Sequence, residues 1–326
     1  MSLAVDEDAF AQLVEPLRGE LTAHCYRMLG SVQEAEDQVQ ETYLRAWRGF
    51  NGFENRSSIR TWMYRIATNV CLTALDGRQR RPMPTGLGQP SADPYGTLDA
   101  RPEIGWLEPL PDAVVWAGQA ADPADEVVDR ESVRLAFVAA LQHLTPAQRA
   151  VVILRDVLTW QASEVAQLLD MSVAAVNSSL QRARAQLHKM DHEAGTVPMS
   201  DERAKELLAD YVAAFENYDV DRIVQLLAKD AVWEMPPYVG WYRGAEAIGQ
   251  LIAQHCPAEG PGDQILIPVS ANGQPAFGLY MKQPDGSYAA FQLQVLTLGG
   301  TGVSHVATFF DTSLFARFGL PGTLHR

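Results

Sequence analysis

Apolar residues recur at helical spacing over residues 10–80. Between Glu34 and Phe50, Ala35, Val39, Tyr43, Ala46, Trp47 and Phe50 repeat at i+3/i+4 and predict one core-facing stripe. Asp37, Gln40, Glu41, Arg45 and Arg48 fall on the opposite face. The period breaks at Asn51–Ser58 and resumes from Thr61, a suitable N-cap, to about Leu75. Pro82, Pro84, Gly86, Gly88 and Pro90 then end the unit. Residues 91–131 have no period and many Pro and Asp, which predicts a linker with a short ordered piece at Trp106–Asp112. Helices resume near Glu131 and run to about Met190. After a break at Glu193–Ser200 come helices at Asp201–Tyr218 and Val220–Lys229, a strand at Ala231–Met235 and a helix at Gly244–His255. Strands are predicted at Gln264–Val269, Gln274–Lys282, Ser287–Leu298 and Val303–Phe310, with hairpin turns at Pro284-Asp285-Gly286 and Gly299-Gly300. Helices followed by an antiparallel sheet imply an α+β domain.

The segment Thr145–Leu187 carries a helix-turn-helix pattern. Thr145, Pro146 and Gln148 form a capping box that opens one helix. Ala162–Leu169 forms a second, and Asp170-Met171-Ser172 turns into a third at Val173–Leu187. In the third, Val176, Leu180, Ala183 and Leu187 point inward. Ser172 caps it, and Ala174, Asn177, Ser178, Gln181, Arg182 and Arg184 point outward. Small residues permit close approach to a DNA groove, Asn and Gln can read base edges, and arginines neutralise phosphates. An ordinary helical hairpin with a solvated face gives a similar pattern.

Charge at first opposes nucleic-acid binding, because the net is −14 over 326 residues. Its distribution reverses that inference. Residues 1–89 carry −1, 90–131 carry −8, 132–199 carry +1 and 200–326 carry −6. Arg56, Arg60, Arg65, Arg78, Arg80 and Arg81 form a basic stretch opposed in sequence only by Asp76. Three well-separated cysteines, Cys25, Cys71 and Cys256, argue for a reducing compartment and against a zinc site or disulfide framework. No apolar run spans a bilayer and the first residues lack a secretory h-region, so a cytoplasmic protein without membrane, metal or cofactor is expected.

Ser31–Arg48, SVQEAEDQVQETYLRAWR, resembles the core-polymerase-binding helix of bacterial sigma factors, and Arg60–Leu72, RTWMYRIATNVCL, their −10-reading helix. With the helix-turn-helix, order and separation resemble extracytoplasmic-function sigma factors of the sigma-70 family. Trp106–Asp112, WLEPLPD, is similar to a linker motif of a subgroup carrying a C-terminal SnoaL-like domain, and residues 200–326 look like that domain. The resemblance implies two all-α sigma domains and a C-terminal α+β cone of the cystatin-like type. The expected plan is region 2 at 1–89, an acidic linker at 90–131, region 4 at 132–192 and the SnoaL-like domain at 200–326.

The resemblance further implies a non-enzymatic initiation factor whose partners are core RNA polymerase and −35/−10 promoter DNA. Asp37, Gln40, Glu41, Arg45 and Arg48 would dock on polymerase, although a solvated charged face looks alike. Asn51, Asn55, Arg56, Ser57 and Ser58 would form the loop that captures a flipped −10 base, followed on the helix by Arg60, Trp62, Arg65 and Asn69. Trp62 fits a stacking platform or the core equally well. Many relatives carry Lys and Arg where Asn177 and Ser179 stand, so weaker phosphate contact is expected, and Asp170 replaces a common Gly in the turn. The linker would follow the polymerase's basic channel, or serve as an extended tether. A repressor using the same third helix is the competing class, and it leaves 31–72 unexplained.

For residues 200–326 three readings stand: regulation by packing on the sigma domains or linker, regulation through a small apolar ligand, and a cyclase or isomerase activity. Trp233, Tyr238, Trp241, Phe291, His305, Phe309 and Asp311 are the candidate pocket. His305, Ala307, Phe309 and Asp311 share a strand face by period two, but His305 and Asp311 lie about 20 Å apart on an extended strand. Core packing with polar groups at the edge fits those residues better than proton transfer.

Overall fold

The computed structural model describes residues 7–53, 57–116, 130–190 and 199–325, and the chain forms two compact units. The first comprises residues 1–81 and 107–193, the second 82–106 and 194–326.

In the first unit, α1 (Glu7–Val14), α2 (Arg18–Leu29), α3 (Val32–Gly49) and α4 (Ile59–Leu75) pack around Leu21, Met28, Val39, Ala46, Met63 and Ala67. Ser31 caps α3 by accepting the Glu34 N–H at 3.3 Å. Ser58, not Thr61, caps α4: its Oγ accepts the Thr61 N–H at 3.0 Å, which starts the helix two residues earlier than expected. The α3 stripe is also narrower than expected, because Trp47 is 38% exposed. Next come α5 (Asp112–Trp116), α6 (Leu135–Leu141), α7 (Pro146–Val152), α8 (Ala162–Leu168) and α9 (Val173–Met190). The Thr145–Gln148 capping box opens α7, and one widened turn, Ile153–Val157, extends it. Asp170 takes φ +51°, the left-handed conformation that a glycine would adopt, so the turn into α9 keeps its course.

Residues 107–116 seat on the same unit. Glu108 accepts from Ser31 Oγ and the Val32 N–H, each at 3.0 Å, at the start of α3. Leu107 and Leu110 are fully buried.

The second unit holds α10 (Asp201–Glu216), α11 (Val220–Leu226), β1 (Leu227–Glu234), β2 (Trp241–Arg243), α12 (Ala245–His255), β3 (Gln264–Ala271), β4 (Gln274–Lys282), β5 (Tyr288–Gly299), β6 (Gly302–Phe309), α13 (Leu314–Arg317) and β7 (Thr323–Leu324). The sheet order is β2-β1-β6-β5-β4-β3, with β7 on β5. It is mixed rather than antiparallel, since β1 runs parallel to β6. The predicted helix from Val220 stops at Leu226, where Leu227 turns extended and begins β1. Tyr211, Phe215, Ile223, Trp233, Ile248, Phe277, Leu279, Leu296 and Val306 join three helices to one sheet face.

The segment expected as a free tether is divided. Residues 82–106 belong to the second unit and run along its sheet edge. The Ala92 N–H donates to the Trp241 carbonyl at 2.7 Å, and the Trp241 indole N–H donates to the Gln89 carbonyl at 2.9 Å. The Arg101 N–H donates to the Pro237 carbonyl at 2.8 Å, and Ala100 forms an antiparallel bridge with Tyr238. Composition missed this seat because the edge strand supplies the backbone partners.

Candidate nucleic-acid and polymerase interface

The third helix of the helix-turn-helix exposes the residues expected to point outward. Ser172 Oγ accepts the Ala175 N–H at 3.1 Å, so its hydroxyl serves the helix start. Ala174, Asn177, Ser178, Gln181, Arg182 and Arg184 are exposed, while Val176, Leu180 and Ala183 are buried. Arg184 makes a two-pronged ion pair with Asp156 at 2.9 and 2.5 Å. Ser179, unlike Asn177, is buried.

At the start of α4, Ser57 and Ser58 line a cavity of about 620 Å³ together with Leu13, Phe50, Phe53 and Ile59. Asn51 is exposed beside it, whereas Asn55 and Arg56 lie outside the described residues. Trp62 is half-buried against Phe53, with ring centres 4.9 Å apart, which joins it to an aromatic cluster. Arg60 bonds Glu20 at 2.6 Å, and that carboxylate raises the guanidinium's pKa. Arg65 donates to Gln167 Oε1 at 3.2 Å, and Asn69 is exposed.

The basic stretch is therefore not opposed by Asp76 alone. Glu20 meets Arg60, and Glu34 meets Arg78 and Arg81 at 2.6 and 3.0 Å. Acids distant in sequence neutralise part of it.

On α3, Asp37, Gln40, Arg45 and Arg48 are exposed, and Glu41 pairs with Arg45 at 2.6 Å. Sequence analysis missed Leu44, 51% exposed among these polar residues. Its signal was available: five residues on from Val39, it stands outside the apolar stripe.

A further missed residue is Arg149 of α7. Its guanidinium is buried and donates to the carbonyls of Met28, Leu141, Gln142 and Leu144 and to Gln142 Oε1. No carboxylate appears among these acceptors, and burial lowers its pKa to about 10. Arg149 thereby ties the helix-turn-helix to the α2 end.

Of the predicted C-terminal pocket residues, Trp233 belongs to one apolar cluster and Tyr238 and Phe291 pack against it. Trp233 faces the core beside Phe215, with rings 6.4 Å apart. His305 instead meets Glu234, the residue after Trp233, whose side chain leaves the other side of β1. Phe309 is buried, while Tyr238 and Phe291 both set their rings edge-on against Phe310. Trp241 is held by Gln89. Asp311 lies beyond β6, exposed, accepting from the Ser313 N–H and Oγ at 2.9 and 2.6 Å. It is a turn residue, because the strand ends before the period-two pattern reaches it.

Comparison with known proteins places these features together. Models described as Sigma-70 region 2, Sigma-70, region 4, and SnoaL-like domain match residues 13–81, 134–187 and 208–309. The ECF RNA polymerase sigma factor SigG of Mycobacterium tuberculosis is 58% identical over 318 residues, covering 97% of this chain and 85% of the relative. SigJ of the same organism is 28% identical over 259 residues, covering 76% and 73%. The crystal structure of SigJ matches with a TM-score of 0.61 at 23% identity, covering 96% of this chain and 99% of that one, which supports the shared fold. The chain is an RNA polymerase sigma factor that acts in transcription initiation, and it belongs to the extracytoplasmic-function group of the sigma-70 family that carries a C-terminal SnoaL-like domain.

Proposed function

We propose that this sigma factor engages core polymerase in the cytoplasm through Asp37, Gln40, Glu41, Arg45 and Arg48 of α3. The loop before α4, with α4 itself, then meets the −10 element, and α9 reads the −35 element through Asn177, Ser178 and Gln181. The domain plan set out from the sequence carries these roles, with one change: the linker has a resting seat. The SnoaL-like domain restrains initiation by holding residues 82–106, and polymerase must take that segment off the sheet edge.

The observation that carries this reading is the pair of backbone bonds from Ala92 to Trp241 on the edge strand β2 and from Arg101 to Pro237 in the turn before it. Of the −8 carried by residues 90–131, −2 lies in the seated stretch 90–106 and −6 in 107–131, and this acidity suits a basic channel. A regulatory rather than catalytic role is supported by the rings of Tyr211, Phe215, Trp233 and Phe277, which pack on one another between helices and sheet. Run-off transcription with core enzyme, comparing the full chain with residues 1–199, tests the reading. Restraint predicts more transcript from the shorter chain, and equal transcript from both would overturn it.

A further inference from the structure

Residues 82–106 leave the first unit and return to it at one point. Arg81, the last residue before them, places its guanidinium 3.7 Å from the Glu108 carboxylate and 3.0 Å from that of Glu34 on α3. The Glu108 N–H donates to the Gly30 carbonyl at 3.1 Å, and the Tyr26 hydroxyl donates to the Glu108 carbonyl at 2.6 Å. Gly30 takes φ +73°, and a Cβ there would stand 2.9 Å from Leu107 Cδ1, so the glycine makes room for the leucine.

Burial changes abruptly at that return. Leu107, Pro109, Leu110 and Pro111 are buried, whereas among the described residues none from 88 to 106 is. The two stretches are therefore held differently. The Ala92 and Arg101 amides make backbone bonds that water or another acceptor can replace at small net cost. Lifting residues 107–111 would expose two leucines and two prolines to water. It would also strip the Ser31 hydroxyl and the Val32 N–H, at the start of α3, of the Glu108 carboxylate.

We propose that residues 107–111 stay seated on the first unit when polymerase takes residues 82–106 from the sheet edge. The released stretch is then a closed loop, a strap fixed at both ends, with Arg81 and Glu108 at its neck. The seat of 107–111 is the same before and after release, and contacts common to two states shift no equilibrium between them. The restraint therefore resides in 82–106 alone. The proposal rests on the reading that 82–106 must be released.

The test measures distances between paired spin labels on the full chain, free and assembled with core polymerase. The background is Cys256→Ser, since Cys25 and Cys71 are buried. One pair, Thr97→Cys/Glu246→Cys, reports the loop against α12. The other, Thr73→Cys/Ala113→Cys, reports α4 against the position two residues past the seat. All four positions are exposed in the wild-type chain. On assembly the loop pair should change by on the order of 15 Å, the reach of a loop this long with both ends fixed. The seat pair should keep its distance. A change in both pairs overturns the proposal and leaves the release standing. A loop pair that keeps its distance overturns the release, and the proposal with it.

Discussion

The Glu234 carboxylate lies 2.8 Å from His305 Nε2 and also accepts the Thr85 N–H at 3.0 Å. Glu234 is buried, so its partners set its cost. One of them, Thr85, belongs to residues 82–106, which makes this carboxylate a clasp between the sheet and that segment. Glu234→Ala leaves the Thr85 N–H without its acceptor and is expected to cost about 1–3 kcal/mol. Hydrogen exchange should show the Thr85 amide exchanging faster, while α9 amides are unchanged.

Arg149 gives a second prediction. Arg149→Met strands carbonyls of Met28, Leu141 and Leu144, each a buried acceptor. Denaturant unfolding should show a loss of at least about 1–3 kcal/mol. Arg149→Lys should recover little, because one ammonium cannot span acceptors that a planar fork reaches.

His24 predicts an acid-sensitive stability. It is fully buried beside Thr68, and desolvation holds its pKa down at about 3. The unfolded chain's His titrates near 6.5, so between the two values the unfolded state binds more protons. The neutral imidazole therefore costs nothing above that range, and stability falls as pH drops from about 6.5 toward 3. At pH 5 its share is roughly 2 kcal/mol. Stability curves of wild type and His24→Gln should converge in slope above pH 7 and diverge below it.

The recognition helix separates base reading from phosphate contact. Asn177→Ala or Gln181→Ala should relax discrimination at single −35 positions by about 1–3 kcal/mol. Arg182→Ala should weaken all sequences alike and lower the salt slope by about one. Arg184→Ala should do less than Arg182→Ala, since Asp156 already engages Arg184.

Elements with strong local signals were legible in sequence. The Thr145 capping box, the α9 faces and the β4 strand at Gln274–Lys282 follow from period and turn chemistry. Three-residue β2 carries too little pattern to predict. Glu234 and His305 meet only through the parallel β1–β6 pairing, where Ala307 sits beside Glu234. Burial of Arg149 and the neutralisation of Arg60, Arg78 and Arg81 likewise depend on partners remote in the chain. The linker's seat was hidden for the same reason: Pro and Asp content reports flexibility, not the edge that receives it.

The central claim is that residues 82–106 must leave the SnoaL-like domain before transcription starts. A Cβ placed on Gly240 would stand 3.3 Å from Ala92 Cβ, close to disulfide geometry. The double variant Ala92→Cys/Gly240→Cys therefore locks the linker when oxidised. Run-off transcription with core polymerase should be lost in the oxidised protein and restored by a thiol reductant, while wild type under the same treatments is unaffected. Undiminished transcript from the fully cross-linked chain would contradict the account.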